Sequence, residues 1–535
     1  MTLNKLGRRR HSYRTPIGPT GSGGSGGGGG GPVGPFAKPK LAVVDYSSDM
    51  SNTRRDMFAK YPIVVINRSR GQLAQATTFN NSVRAINPSA KIYQYVILNE
   101  EGDNSSPTSD HFPFWQAVTN GGTDGLSWWV KDAATQNKTQ WTSSFGNYEL
   151  NITNYTTADS SGKRVPQVRA DFYWTYYLSI FGSSIDGVFQ DNLFWRPRHA
   201  VGLASNTAGD YNRDGSNDSI SDPTLQSEYR ASYTRFWDQL KTHRADLEII
   251  SNTDVMTGNL ASVTRAEFTG KCEGALLEAL SGKSYSVATY GGISEALKYY
   301  RSAMSNVKAG GFVMVNAYID KNATLMDGER SSARYGLALS MLDDGHFTLC
   351  DDTGGVTPAE IDEFNWPIGD AVDAPPASPL SNGMWLRVYE NGCVVLNPAE
   401  NGGTYFKGRS GRSFTLRRVS STVVEMVAVG WTHGLSVGDQ FRIIRNRTKT
   451  SFNGTFTVTS VPNANTIRWS QSGASGETDS SPDGTFGVPA TLNLAGQGYY
   501  LGEPGVPGVE DSIYTGNLVT NLTLFSGDAV LLMKS

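Results

Sequence analysis

The chain has 535 residues, 38% of them hydrophobic, with a mean hydropathy of −0.36. That is too long for one ordinary domain and leaves room for a large barrel with accessory units. Eighteen consecutive apolar residues occur nowhere, so no transmembrane helix and no membrane partner are expected. The net charge of −3 is uneven: the first forty residues hold seven Lys or Arg and no acid, which leaves 40 basic against 50 acidic residues in the rest. A basic arm on an acidic body lacks any nucleic-acid-binding motif, so no nucleic-acid partner is expected.

The N-terminal peptide, residues 1–15, has the charges of a secretion signal without an apolar core behind them, and export by that route is not expected. Residues 16–39 begin PIGPTGSGGSGGGGGGPVGPF and form a Gly/Pro-rich linker that buries nothing. A short peptide ahead of a flexible linker suggests a body tethered to a larger assembly; a disordered tail without function is the other reading. Three cysteines, Cys272, Cys350 and Cys393, are far apart and read as reduced, buried thiols.

From Lys40 apolar runs alternate with helical stretches. The runs are LAVVDY (41–46), PIVVIN (62–67), KIYQYVIL (91–98), DGVFQD (186–191), LEIISN (247–252), GALLEAL (274–280), GFVMVNAY (311–318) and HFTLC (346–350). Helix-like segments such as GQLAQATTFNNSVRAI, DPTLQSEYRASYTRFWDQLKTH, GGISEALKYYRSAMSNV and ERSSARYGLALSMLDD lie between them. Eight such units predict an α/β protein, a (β/α)8 TIM barrel over 40–374. The first strand is not followed by a glycine-rich phosphate loop, which argues against a doubly wound sheet. The longest insertion, 99–170, is aromatic-rich and carries Trp115, Trp128, Trp129 and Trp141; it is expected to wall the cleft and to hold a small core of its own.

After Pro375 the pattern is all-β. MWLRVYENGCVVLNP predicts two strands about a Glu-Asn-Gly turn, and NLVTNLTLFSGDAVLLMKS predicts two more. The expected organisation is a C-terminal β-sandwich-like domain in two pieces, 375–409 and 488–535, carrying an inserted small all-β module at 410–487.

In barrels the working residues sit at the C-terminal ends of the strands. Asp191, at the end of the fourth run, and Glu278, interrupting the apolar sixth, are the expected catalytic pair, because two facing carboxylates suit glycoside hydrolysis. A buried carboxylate is costly unless it is paired or used, which favours Glu278. Asp45, Glu100, Asn192, Trp195, Asn252 and Asn316 at other strand ends, with Trp128 and Trp129 of the insertion, are the expected substrate-binding residues. Asp186 reads as a turn former and Glu273 as structural. No Gly-x-Ser-x-Gly elbow stands at a strand end. DYNRDGSNDS places Asp210, Asn212, Asp214 and Asp218 at calcium-loop spacing, although Ser221 replaces the closing Glu. A structural Ca2+ bracing the loop after the fourth strand is one expectation and an Asx-rich turn is the other; no cofactor is required for the chemistry.

PIVVIN, INPSAKIYQYVILNE, IDGVFQDN, the Asp-x-Asn-x-Asp-Gly loop, EGALLEA and ENGCVVLNP…LFSGDAVLLM occur in an order that resembles the hypothetical glycosyl hydrolases related to the α-galactosidase superfamily. That resemblance implies Asp191 as nucleophile and Glu278 as acid/base. WTHGLSVGDQFRI…FNGTFTVTSV resembles β modules of bacteriophage tail and fibre proteins. Together they imply a tail-associated glycoside hydrolase-like protein of the virion, acting on a host cell-surface polysaccharide and bound to other tail or baseplate proteins through its N-terminal peptide. The alternative is a catalytically inactive glycan- or receptor-binding, or structural, tail protein.

Overall fold

All eight apolar runs form parallel strands of one sheet. They are β1 (Val43–Asp45), β2 (Ile63–Ile66), β3 (Lys91–Ile97), β4 (Gly187–Leu193), β5 (Glu248–Thr253), β6 (Gly274–Ser281), β7 (Phe312–Ile319) and β8 (His346–Asp351). The computed structural model describes residues 37–254, 262–281, 292–319, 327–351, 356–398, 413–430, 432–444, 446, 449–480, 485–501, 516–525 and 528–534. The basic N-terminal peptide and all but the end of the expected linker lie outside these residues.

The strands pair in sequence order. A parallel bridge joins Leu41 to Phe347, where Ala42 N donates to Phe347 O at 2.8 Å and Phe347 N to Lys40 O at 2.9 Å, so the first and last strands meet and the sheet is nearly closed. A ninth, antiparallel strand, Thr357–Pro358, extends it beside β8. Side chains alternate across each strand. One set, including Val44, Val65, Tyr93, Phe189, Ile250, Leu276 and Met314, fills the inside. The other set, including Val43, Val64, Ile92, Val188, Ile249 and Val313, packs outward against the helices. The architecture is therefore a TIM-barrel-like α/β layer.

The helices form where apolar residues recur at helical spacing. Pro223–His243 buries Leu225, Tyr229, Ser232, Tyr233, Phe236, Trp237 and Leu240 on one stripe. Asp222 caps it, accepting from Thr224 N at 2.7 Å and Leu225 N at 3.1 Å, and Pro223 occupies the first turn where no donor is lost. Leu73–Ile86, Gly292–Asn306 and Asp327–Met341 lie over the segments expected to be helical.

Beyond the barrel the described strands are antiparallel. Trp385–Tyr389, Gly392–Leu396, Ala529–Lys534 and Tyr499–Leu501 form one sheet, and Pro489–Asn493 pairs with Asn521–Phe525. The chain between 413 and 487 forms a separate seven-stranded sheet with its own core of Phe414, Leu416, Met426, Phe441, Ile467, Trp469 and Phe486. The three cysteines are buried and free.

Gly187 opens β4 where the backbone of β5 passes closest. A Cβ there would lie 2.0 Å from Glu248 O, whereas one at Gly71 meets nothing within 4 Å. Gly187→Ala is expected to lower the thermal midpoint through an overpacking cost of about 1–3 kcal/mol or more. Gly71→Ala is expected to leave it unchanged or raise it slightly; calorimetry on both variants checks the contrast.

Candidate active site

The inward register that builds the barrel core also delivers the site. Two residues beyond a core side chain, the next inward position reaches the mouth. Val44 leads to Tyr46, Tyr93 to Tyr95, Phe189 to Asp191, Ile250 to Asn252 and Leu276 to Glu278. On β7 the series Met314, Asn316, Tyr318 runs one layer further, so Asn316 is buried and Tyr318 reaches the mouth.

Asp191 and Glu278 are brought together by one amide. Asn252 Nδ2 donates to Asp191 Oδ1 at 2.8 Å and to Glu278 Oε2 at 2.6 Å. Asp191 also accepts from Asn192 N at 2.9 Å and Tyr95 Oη at 2.7 Å, and Glu278 accepts from Tyr318 Oη at 2.8 Å. The ring of Tyr46 stands edge-on to Tyr95, with centroids 5.2 Å apart. Burial holds the Asp191 carboxyl above its ordinary range, against the three hydrogen bonds that favour its ionised form. Burial, and then the charges of the two carboxylates, push the Tyr46 hydroxyl well above its usual value; burial and Asp191 do the same to Tyr95.

Each carboxylate sits at a break in its strand. β4 loses register between Gln190 and Leu193, and β6 between Leu277 and Ser281. The residue after each carboxylate is left-handed: Asn192 has φ 54° and Ala279 has φ 49°. Such bulges re-aim a side chain, and partners hold both. Asn192 O accepts from Tyr233 Oη at 2.6 Å, and Asn316 Oδ1 accepts from Ala279 N at 2.9 Å.

Above the pair opens a cavity of about 670 Å³. Glu100 lines it, bonded by Trp141 Nε1 at 2.6 Å, Asn147 Nδ2 at 3.1 Å and Asn192 Nδ2 at 3.3 Å, and burial raises its pKa. Arg198 lines it too, 3.0 Å from Asp254 and 4.1 Å above the Phe194 ring. Phe145, 66% exposed, packs against Trp141 at the rim.

Of the residues expected from sequence, Asp191, Glu278, Asn252, Asn192 and Glu100 line this cavity. Five others do not. Asp45 is one residue out of phase with the inward set; it lies fully buried 3.8 Å from Arg68 and 3.7 Å from Arg54. Trp128 and Trp129 are buried in the large core cluster that the insertion shares with the barrel's outer face, donating to Thr157 O at 3.1 Å and Thr119 Oγ1 at 3.3 Å. Trp195 lies outside the cavity, flanked by the guanidinium groups of Arg265 at 4.3 Å and Arg196 at 4.7 Å. Asn316 supports Ala279 from beneath. Asp186 and Glu273 serve the opposite end, accepting from Ile92 N and Ile249 N, each at 2.6 Å. In the Asp210–Asp218 loop the side chains bond the loop's own amides: Asp218 takes Tyr211 N at 2.7 Å and Asn212 N at 3.1 Å, Asn212 takes Asp214 N at 2.9 Å, Asp214 takes Ser216 N at 2.9 Å, and Asp210 takes Gly215 N at 3.1 Å. Among the described residues no group of three or more His, Cys, Asp or Glu is placed to hold a metal ion. Trp141, in the insertion expected to wall the cleft, lines the cavity; sequence reasoning missed Tyr46, Tyr95 and Phe145, and the alternation rule, applied strictly, finds the first two.

A further carboxyl lies behind Glu100. Glu149, its cross-strand partner, is buried and accepts from Thr139 Oγ1 at 3.1 Å. Burial pushes its pKa from 4.5 up to about 8. Between those values the unfolded chain releases a proton that the folded protein keeps, so stability falls as pH rises through this window and levels off above it. Glu149→Gln is expected to flatten that slope and to melt above the wild type at pH values beyond the window; melting curves at pH 5 to 9 check it.

Among solved structures the fold is similar to a variant of the glycoside hydrolase domain of PelA from Pseudomonas aeruginosa, at 12% identity and TM-score 0.35, covering 60% of this chain and 100% of that one. It is similar to an Anoxybacillus α-amylase at 8% identity and TM-score 0.37, covering 82% and 99%. It is also similar to a cycloalternan-forming enzyme from Listeria monocytogenes at 11% identity and TM-score 0.36, covering 86% and 43%. No curated protein matches the chain. The sequence profile of hypothetical glycosyl hydrolase family 15 matches residues 84–393, more than half of the chain and both strands that carry the paired carboxylates; the protein belongs to that family and is of the glycoside hydrolase class.

Proposed function

We propose that the protein hydrolyses a glycosidic bond with retention of configuration, Asp191 acting as nucleophile and Glu278 as acid/base. One observation carries this reading. A single nitrogen, Asn252 Nδ2, bonds both carboxylates, so their nearest oxygens are no further apart than 2.8 and 2.6 Å laid end to end. Carboxyl groups about 5–5.5 Å apart suit retention, whereas inversion needs about 6.5–9.5 Å to admit a water. Asp191 suits the nucleophile because three donors fix both its oxygens. Glu278 would protonate the leaving oxygen as Asp191 bonds the anomeric carbon. It would then take a proton from the water that releases Asp191.

The nearly closed sheet is read here as a (β/α)8 barrel, with the expected substrate a host cell-surface polysaccharide. A phage-tail setting rests on sequence alone: the basic peptide and linker at the N-terminus, and the likeness of WTHGLSVGDQFRI…FNGTFTVTSV to tail modules.

Incubation with purified capsule, lipopolysaccharide and peptidoglycan glycan strands is expected to yield new reducing ends, the first-formed anomer matching the substrate's. Asp191→Asn and Glu278→Gln should each lower kcat by about 10²–10⁴-fold. Binding by the wild type without release would replace this reading with an inert glycan-binding protein. Tyr95→Phe removes a hydrogen bond that favours ionised Asp191, so the acidic limb of the kcat/KM profile should move to higher pH.

A further inference from the structure

A second cavity, of about 380 Å³, opens beside the first. Tyr46, Asn67 and Tyr95 line both. Tyr95 is therefore a partition whose hydroxyl holds Asp191, so that carboxylate stands one hydrogen bond from the dividing wall. Beyond it the second cavity is walled by Ser69, Gln72, Asp110, His111 and Tyr177.

Two buried side chains in that wall are incompletely bonded. Arg68 is 1% exposed, and its Nε and Nη2 have no hydrogen-bond acceptor among the described residues; Nη2 lies 3.8 Å from Asp45. Gln94 is 2% exposed, and its Oε1 has no donor among the described residues. Buried polar groups are normally satisfied. Both residues line the second cavity, and unmet donors and an unmet acceptor in one wall suit a group that both accepts and donates, which is what a sugar hydroxyl does. On the other side of the pair, the larger cavity runs out to the exposed ring of Phe145, a flat apolar face that a sugar ring can cover.

We infer that the protein is endo-acting on a polymeric glycan, with sugar units seated on both sides of the cleaved bond, one against Phe145 and one in the compartment walled by Arg68 and Gln94. This rests on the reading of Asp191 and Glu278 as the catalytic pair. A site built for chain ends would close on one side of the carboxylates; among the described residues a lined cavity lies to either side of Tyr95, which bonds Asp191.

The test uses the full chain on purified capsule, lipopolysaccharide and peptidoglycan glycan strands, following reducing ends and product length together. The expected result is an early fall in mean chain length with a ladder of products. Gln72→Ala shortens a side chain that lines the second compartment, and Ser69→Trp adds bulk at its exposed neighbour, where it also removes the Ser69 hydroxyl's bond to Gln72 Oε1; Phe145→Ala removes the rim platform, and none of these positions lies in the core. Each should lower kcat/KM by about tenfold, mainly through KM and more on long chains than on short ones, with an unchanged thermal midpoint. Release of one small product from the first turnover, with Ser69→Trp behaving as the wild type, would overturn endo action while leaving the catalytic assignment standing. No new reducing end from any of the three glycans would overturn the glycosidase reading, and this inference with it.

Discussion

Holding two carboxylates within reach of one amide nitrogen is the constraint around which the mouth of this barrel is arranged. Two negative charges at such a separation repel strongly where water is scarce. The structure answers with neutral donors: the amide of Asn252, the hydroxyls of Tyr95 and Tyr318, and the backbone N–H of Asn192. Such donors favour the charged form without cancelling it. Burial nevertheless holds the Asp191 carboxyl above its ordinary range.

The same constraint explains the backbone. A regular strand aims successive inward residues at fixed intervals, and the bulges after Gln190 and Leu277 change that aim. Left-handed backbone costs roughly 1–2 kcal/mol for a residue with a Cβ. Asparagine tolerates it better than most, and Asn192 fits that rule; Ala279 does not. Its N–H is instead held by Asn316, a buried amide that has no reason to be inside a barrel until its bond to Ala279 is seen. A left-handed residue thus follows each of the paired carboxylates, and a residue one layer down holds Ala279 in place.

This pattern also sets what could be read from sequence. Eight strands were legible because apolar runs bounded by turn residues leave few alternatives, and Asp191, Asn252 and Glu278 followed from their places at the strand ends. Asp45 was misplaced by a single step of phase, which turns a side chain from the mouth to the layer beneath the helices. The tryptophans of the insertion were harder. Trp128, Trp129 and Trp141 look alike in sequence, and what separates them is which packs under helix Phe112–Asn120 and which reaches Glu100. Composition does not encode that choice, because it is made by contacts between segments far apart in the chain.

The paired carboxylates and the rim consequently rest on different parts of the molecule. The carboxylates belong to strands locked on both sides by the sheet. The rim belongs to the insertion, whose hairpin, Glu100–Gly102 with Asn147–Glu149, is tied to the barrel by Arg169, which bonds Glu101 and also donates to Ile97 O at 2.9 Å at the end of β3. Trp141 and Phe145 hang from that hairpin, while Tyr46 and Tyr95 belong to the barrel itself. Changes to the loop between 141 and 147 would reshape the rim on that side and leave the amide that joins the two carboxylates untouched.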